Sequence, residues 1–391
     1  MRSMKLMCAA VALGMAGLAA ANEQPIRIGY VNTFSGPNAI LGNDHRDGFE
    51  LALEQLGRKM GNRPVEVIYE DDQMKPEIGR QVTEKLAKVD KVDFLAGYNF
   101  SNVLLASVKP AVDNHVFLIT TNAGPHQLAG EGCSPWLFSA SWQNDQTAMA
   151  MGEALNQRGV KKLFVMAPNY AAGRDMANGM KRTFKGEVIG EIYTRWPGHV
   201  DFSSELSRIR AAEPDAVWVF YPGQAGVQFI QQYNQAGLKE RFPLYSIFTV
   251  DALSLPQLGD EAVGHISTQT WVQDLDNPQN KQFVEAFRKK YNRYPSYYSA
   301  QNYDAVMLMA SAVAAVKGDL SNPDAVRAAL RKADFKSVRG KFRFNNNHIP
   351  IADLYLQDVI KDKDGHLTQH TLGVVLKDHQ DPYHDQCPMK F

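Results

Sequence analysis

Cysteine is scarce in this chain, with three among 391 residues. Beyond an apolar stretch at the very start, no run approaches the ~18 apolar residues a membrane-spanning helix needs. An excess of one charge is missing as well. The 42 Asp and Glu balance 42 Lys and Arg, and an even, interspersed balance leaves no basic footprint for nucleic acid. Catalytic signatures are absent too. There is no Gly-x-Ser-x-Gly, His-Glu-x-x-His, Cys-x-x-Cys, Gly-Lys-Ser/Thr phosphate loop or Gly-x-Gly-x-x-Gly. The ten histidines are scattered. His45, His126, His199 and His265 each stand near a turn or strand edge, where hydrogen-bonding roles fit better than catalysis. Asp71-Asp72 reads as loop solvation or as a cap for a helix starting at Pro76. These absences argue for a protein that is not an enzyme and holds no cofactor and no metal.

What is present begins at the N-terminus. Arg2 and Lys5 precede the apolar run Leu6 to Leu18, and Ala19-Ala20-Ala21 follows. A basic start, a short apolar core and small residues form a cleavable export signal, residues 1–21. Cys8 lies inside the apolar run, too early to carry a lipid after cleavage. The roughly 370 residues that follow exceed one ordinary core and suggest two domains. Cys133 and Cys387 are the cysteines left after processing. In an oxidising compartment they can form one disulfide. The rival is a metal site of His379, His384 and Cys387, whose spacing matches no strong zinc pattern.

From residue 26 the chain alternates strand and helix. Ile26, Ile28 and Tyr30 have strand period, Phe49, Ala52, Leu53 and Leu56 helical period, and Val65, Val67 and Tyr69 strand period again. Strands are expected at Val92–Ala96 and Val116–Thr120. After the loop 130–135 the pattern restarts, with a helix from Asn144, strands at Leu163–Met166, Val188–Tyr193, Ala216–Phe220 and Leu244–Phe248, and helices between them. This predicts an α/β fold with two parallel sheets, each covered by helices. His265–Trp271 is strand-like. Helices at 280–291, 299–316 and 323–331 have no sheet of their own and are expected to return to the first unit. Paired strands from Ile351 are expected to join the second. Several crossings between two units make a hinge.

Ligands of open α/β sheets sit beyond the carboxyl ends of the strands. Polar and aromatic residues collect in such loops here: Thr33 to Asn38, Gly97 to Asn102, Thr121 to Gly124, Ala167 to Gly173 and Tyr221 to Gln224. Ser101 opens a helix, where a hydroxyl and free backbone N–H groups suit a carboxylate as well as a plain cap.

Ile28-Gly29-Tyr30 with Ser35-Gly36-Pro37, Tyr69 to Asp72, Gly97 with Ser101, Asn169 to Gly173, Asp201-Phe202-Ser203 and Gln235 to Leu238 occur in one order and spacing. Together they resemble the type I periplasmic binding proteins of the leucine/isoleucine/valine-binding class. The resemblance covers nearly all of the chain after the export signal. It implies two Rossmann-like lobes joined by three hinge strands, a periplasmic location, the permease subunits of an ABC importer as partner, and a monomer. The lobes are expected at 22–140 plus 270–345 and at 141–269 plus 346–391. Ser101 matches the family's carboxylate-binding serine. Asn122 and Gly124 match neighbouring contacts, although Gly124 stands where threonine is usual and so loses a side-chain contact. Tyr170 and Tyr221 match tyrosines of the second lobe. Where amino-acid binders place a glutamate for the ligand's ammonium, this chain has Phe248, with Asp251 as the alternative if the register slips by three. Phe34, Tyr98, Phe100 and Tyr297 or Tyr298 complete an expected aromatic cleft. The runs Asn122 to Pro125 and Ser141 to Gln146 resemble the aromatic-acid-binding subset. The implied ligand is a benzoate-, hydroxybenzoate- or phenylpropenoate-like acid. The other readings are an amino-acid binder and a sensor domain for a membrane receptor.

Overall fold

The structure, a computed structural model, describes residues 24–389. The expected export signal and Cys8 lie outside the described residues.

The first sheet contains β1 (Ile26–Asn32), β2 (Lys59–Met60), β3 (Arg63–Asp71), β4 (Phe94–Gly97), β5 (Phe117–Thr120) and β6 (Leu137–Ser139), in the order β2-β3-β1-β4-β5-β6. All its pairings are parallel except β2 with β3. The strands β4, β5 and β6 are buried along their whole length. That is why β4 and β5 read as continuous apolar runs, since helices cover both faces. Those helices include α1 (Ala39–Gln55), α2 (Pro76–Lys88) and α3 (Ser101–Asp113). Nothing in the sequence announces β6. Three residues after a Gly- and Pro-rich loop carry too little pattern.

The second unit runs α4 (Asn144–Gln157), β7 (Lys162–Pro168), α5 (Ala171–Thr183), β8 (Glu187–Thr194), α6 (Ser203–Ala212), β9 (Ala216–Phe220), α7 (Gln224–Gln235), β10 (Leu244–Ile247), α8 (Leu255–Leu258) and β11 (Ile266–Gln269). The chain then leaves as α9 (Pro278–Tyr291), α10 (Tyr297–Ala315) and α11 (Pro323–Lys332), and returns as β12 (Arg343–Phe344), β13 (Pro350–Lys361) and β14 (Leu367–His379). The second sheet has the order β12-β13-β11-β10-β9-β7-β8, with β14 paired to β13. The helices α9 and α10 belong with the first lobe. Lys290 pairs with Glu54, Arg293 with Asp44 and Asp47 of α1, and Ala305, Met309 and Val313 share a core with Ile28 and Phe49.

The chain therefore crosses between the sheets after β6, after β11 and between α11 and β13. The first crossing is braced by Arg339, which donates to the carbonyls of Ala140 and Ser141 and pairs with Asp304 of α10. Beyond β14 the tail lies beside the third crossing. Asn347 donates to Ala129 O and to Asp381, and Asn346 donates to His384 O. A disulfide joins Cys133 to Cys387, 254 residues apart in sequence, with Cα atoms 5.7 Å apart. That bond removes the alternative metal site with His379 and His384.

Candidate functional site

The two lobes meet across the carboxyl ends of β4, β5, β7, β9 and β10. The residues lining the cavity there are Asn99, Phe100, Ser101, Asn122, Ala123 and Tyr298 from the first lobe, Trp142 and Asn144 at the first crossing, and Tyr170, Ala172, Met176, Phe220, Pro222 and Phe248 from the second. Their side chains nearly meet and leave a cavity of about 20 Å³, well below the roughly 300–1,000 Å³ of open small-molecule pockets. No Asp, Glu, Lys, Arg or His is among them.

Two helices begin at this cavity. Phe100 and Tyr170 occupy the N-cap positions of α3 and α5, and neither gives a side-chain cap. In α3 the Val103 N–H turns back to the Phe100 carbonyl. The N–H groups of Ser101 and Asn102, and of Ala171 and Ala172 in α5, suit an acceptor from outside the helix, where the helix dipole favours an anion. Ser101 Oγ accepts a hydrogen bond from Asn144 Nδ2 at 3.1 Å. Asn122 Nδ2 is spent on Asn99 O and Oδ1, at 2.8 and 2.9 Å. Three lining side-chain atoms are buried without a partner: Asn99 Nδ2, Asn122 Oδ1 and Trp142 Nε1. Two of these are donors. Buried polar atoms of this kind are rare in native proteins and call for a partner.

The walls are aromatic. Trp142 stacks on Phe248 with centroids 4.6 Å apart and planes 20° apart. Tyr170 stacks on Trp196 at 4.9 Å, and Trp196 also meets Phe100. Phe248 holds φ at +53°, a left-handed conformation costly for a bulky residue. Its ring is nonetheless pinned between Trp142, Phe220 and Tyr297. Burial drives the phenols of Tyr170 and Tyr298 above their usual pKa, so both stay neutral.

The structure brings together Ser101, Asn122, Tyr170, Phe248, Phe100 and Tyr298 of the residues expected at the site. Four others lie elsewhere. Phe34 packs on Tyr30 and Tyr69 under Arg46, away from the cavity. Tyr98 is fully buried, with φ at +65° and its hydroxyl 2.9 Å from Thr83 Oγ1. Tyr221 packs on Phe202 and Phe229, its hydroxyl 3.0 Å from Thr194 Oγ1. Its neighbours Phe220 and Pro222 line the cavity instead, because adjacent residues at a strand end face opposite sides. Gly124 is a backbone element: its N–H reaches Asn144 Oδ1 at 3.3 Å, and a Cβ there would lie 2.2 Å from the Trp142 carbonyl oxygen.

Asp251, the alternative acid, also lies outside the lining. It accepts from the N–H groups of Leu253 and Ser254 and from the Tyr297 hydroxyl, and burial raises its pKa to about 6. His45 is no turn residue. It is buried in the middle of α1, its Nδ1 2.8 Å from Asn302 Nδ2 and its ring 4.9 Å from that of Tyr298. Asp71 and Asp72 accept from Phe34 N, Gln73 N, Met74 N and Thr33 Oγ1, so they serve loop structure as expected. Sequence reasoning missed Trp142, Asn144, Phe220 and Met176 as lining residues. The first two lay in the run Ser141 to Gln146 that resembled the aromatic-acid binders, which was the available signal.

The profile of the periplasmic binding protein family matches residues 25–365. The Leu/Ile/Val-binding protein homolog 6 of Brucella melitensis is 28% identical over 373 residues, covering 92% of this chain and 94% of its own length. Among solved structures, the solute-binding protein of an ABC transporter from R. palustris in complex with benzoate is 32% identical. It has a TM-score of 0.88 and covers 94% of this chain and 100% of its own. A second solute-binding protein from R. palustris, in complex with 4-hydroxybenzoate, is 25% identical. Its TM-score is 0.86, with 92% and 99% covered.

Proposed function

The chain belongs to the periplasmic binding protein family, and from that premise we propose that it captures an aromatic carboxylate for an ABC importer. The reading rests on one observation: the cavity combines aromatic walls and unspent hydrogen-bond donors with no ionisable side chain other than tyrosine. A carboxylate needs donors, which Ser101, Asn99, Trp142 and the first turn of α3 supply. An amino acid's ammonium needs a compensating charge once it leaves water, and the lining has none. The benzoate and 4-hydroxybenzoate complexes of the two R. palustris proteins support the same ligand class.

In this reading the first lobe takes the carboxylate at Ser101 and α3. The second lobe then closes Tyr170, Phe220 and Phe248 over the ring. Closure removes the ring from water and brings the rims of both lobes into the arrangement the permease reads. The binding protein acts as a monomer outside the cytoplasm and carries out no chemistry on its ligand.

Calorimetric titration with benzoate, 4-hydroxybenzoate, leucine and isoleucine tests the proposal. The aromatic acids are expected to bind at micromolar concentrations or better and the aliphatic amino acids to give no heat. Binding of leucine or isoleucine without the aromatic acids overturns it.

A further inference from the structure

Asn144 opens α4 in the second lobe, yet its side chain reaches into the first. Its Nδ2 donates to Ser101 Oγ at 3.1 Å and to Asp175 Oδ2 of α5 at 3.0 Å, while its Oδ1 accepts from the Gly124 N–H at 3.3 Å. Both ends of the amide are therefore committed, which fixes which end faces the serine. Asp175, only 3% exposed, is itself held from the first lobe. Its carboxylate accepts from the His126 N–H at 3.1 Å and lies 2.7 Å from His126 Nδ1. A hydroxyl has one hydrogen to give. With its oxygen already accepting from Asn144, Ser101 keeps that hydrogen for another acceptor, and no protein acceptor is bonded to it among the described residues.

We propose that Asn144 and Asp175 are positioning residues for anion capture, orienting the Ser101 hydroxyl toward the ligand's carboxylate while the lobes are together. This rests on the reading of the cavity as a carboxylate site. His126 and Asp175 form the contact across the lobes, and Asp175 transmits it to Asn144. When the lobes part, Asn144 leaves Ser101 and Gly124, and the serine is free to turn its hydrogen elsewhere. Capture and closure then reinforce one another. A positioned donor strengthens the anion's hold, and the closed state keeps the donor positioned.

The groups facing His126 are Asp175 of α5, Asp145 of α4, Arg182 of α5 and the ring of Tyr383 from the tail. The hydrogen bond to Asp175 holds the imidazole's pKa above its ordinary value. This gives a readout of the contact between the lobes that is separate from affinity.

Two measurements decide the matter. The first is a double-mutant cycle on benzoate affinity with Ser101→Ala, Asn144→Ala and the pair. Asn144→Ala is expected to weaken binding about tenfold in the parent and less than twofold when Ser101 is already alanine. Equal losses in the two backgrounds make Asn144 a structural residue and overturn the proposal. The second follows the His126 titration by NMR in the benzoate-saturated protein, with the ligand-free protein as reference. Asp175→Asn, a near-isosteric change, is expected to lower the midpoint. An unchanged midpoint means the contact across the lobes is not made in solution, and the proposal falls. If the parent protein gives no heat with benzoate, the functional reading fails; if benzoate binds and the cycle shows no coupling, the positioning role alone fails.

Discussion

At the level of single residues, His45 shows what burial without charge does. Its imidazole is fully enclosed in α1, and burial lowers its pKa from 6.5 to about 3. The unfolded chain therefore takes up a proton at this residue below about pH 6.5, and the folded chain does not until near pH 3. Stability from this group is complete above pH 6.5 and is lost as pH falls. By linkage the loss is about 2 kcal/mol between pH 7.5 and 5. Denaturation of His45→Gln against the parent at those two pH values isolates the effect. The variant is expected to gain about that much relative to the parent on going to the lower pH. A stability gap that does not change with pH refutes the assignment. Residue detail was also where the sequence was least legible. The loops that supply the cavity were readable because strands end there, but which of Phe220, Tyr221 and Pro222 faces inward depends on a register of one residue. Tyr98 and Phe248 sit in left-handed backbone that no periodicity announces.

Among the elements, the three crossings carry the mechanics, and the first has the most unusual brace. Arg339 and Asp304 are both buried, and the guanidinium also caps the Ala140 and Ser141 carbonyls. Burial works against both charges, lowering the pKa of Arg339 and raising that of Asp304. Removing one partner leaves the other charge stranded. Arg339→Met is expected to cost about 3–5 kcal/mol in urea denaturation, and the double change Arg339→Met with Asp304→Asn distinctly less. Equal costs make the packing, rather than the ion pair, the source. The sequence showed the long helices and central strands well, because amphipathic and fully buried patterns are local. It did not show this brace, since 35 residues separate the partners and neither stands in a motif. The short strand β6 was lost for want of length.

For the whole molecule, the two-lobe α/β plan was legible from the alternation of strand and helix. So was the return of α9 to α11 to the first lobe, because helices without a sheet must find one. The disulfide was readable as an arithmetic pairing, but its mechanical place beside the third crossing was not. Replacing Cys133 and Cys387 by serine releases a very long closed loop and is expected to cost about 2–5 kcal/mol, seen as a lower melting temperature. An unchanged melting temperature assigns the tail no part in stability.

That same bond closes a ring of chain that runs through all three crossings and the entire second sheet. A protease that cuts any single peptide bond between Cys133 and Cys387 therefore releases no fragment. The two pieces stay covalently one molecule, with both lobes still attached, until a reductant reaches the sulfurs.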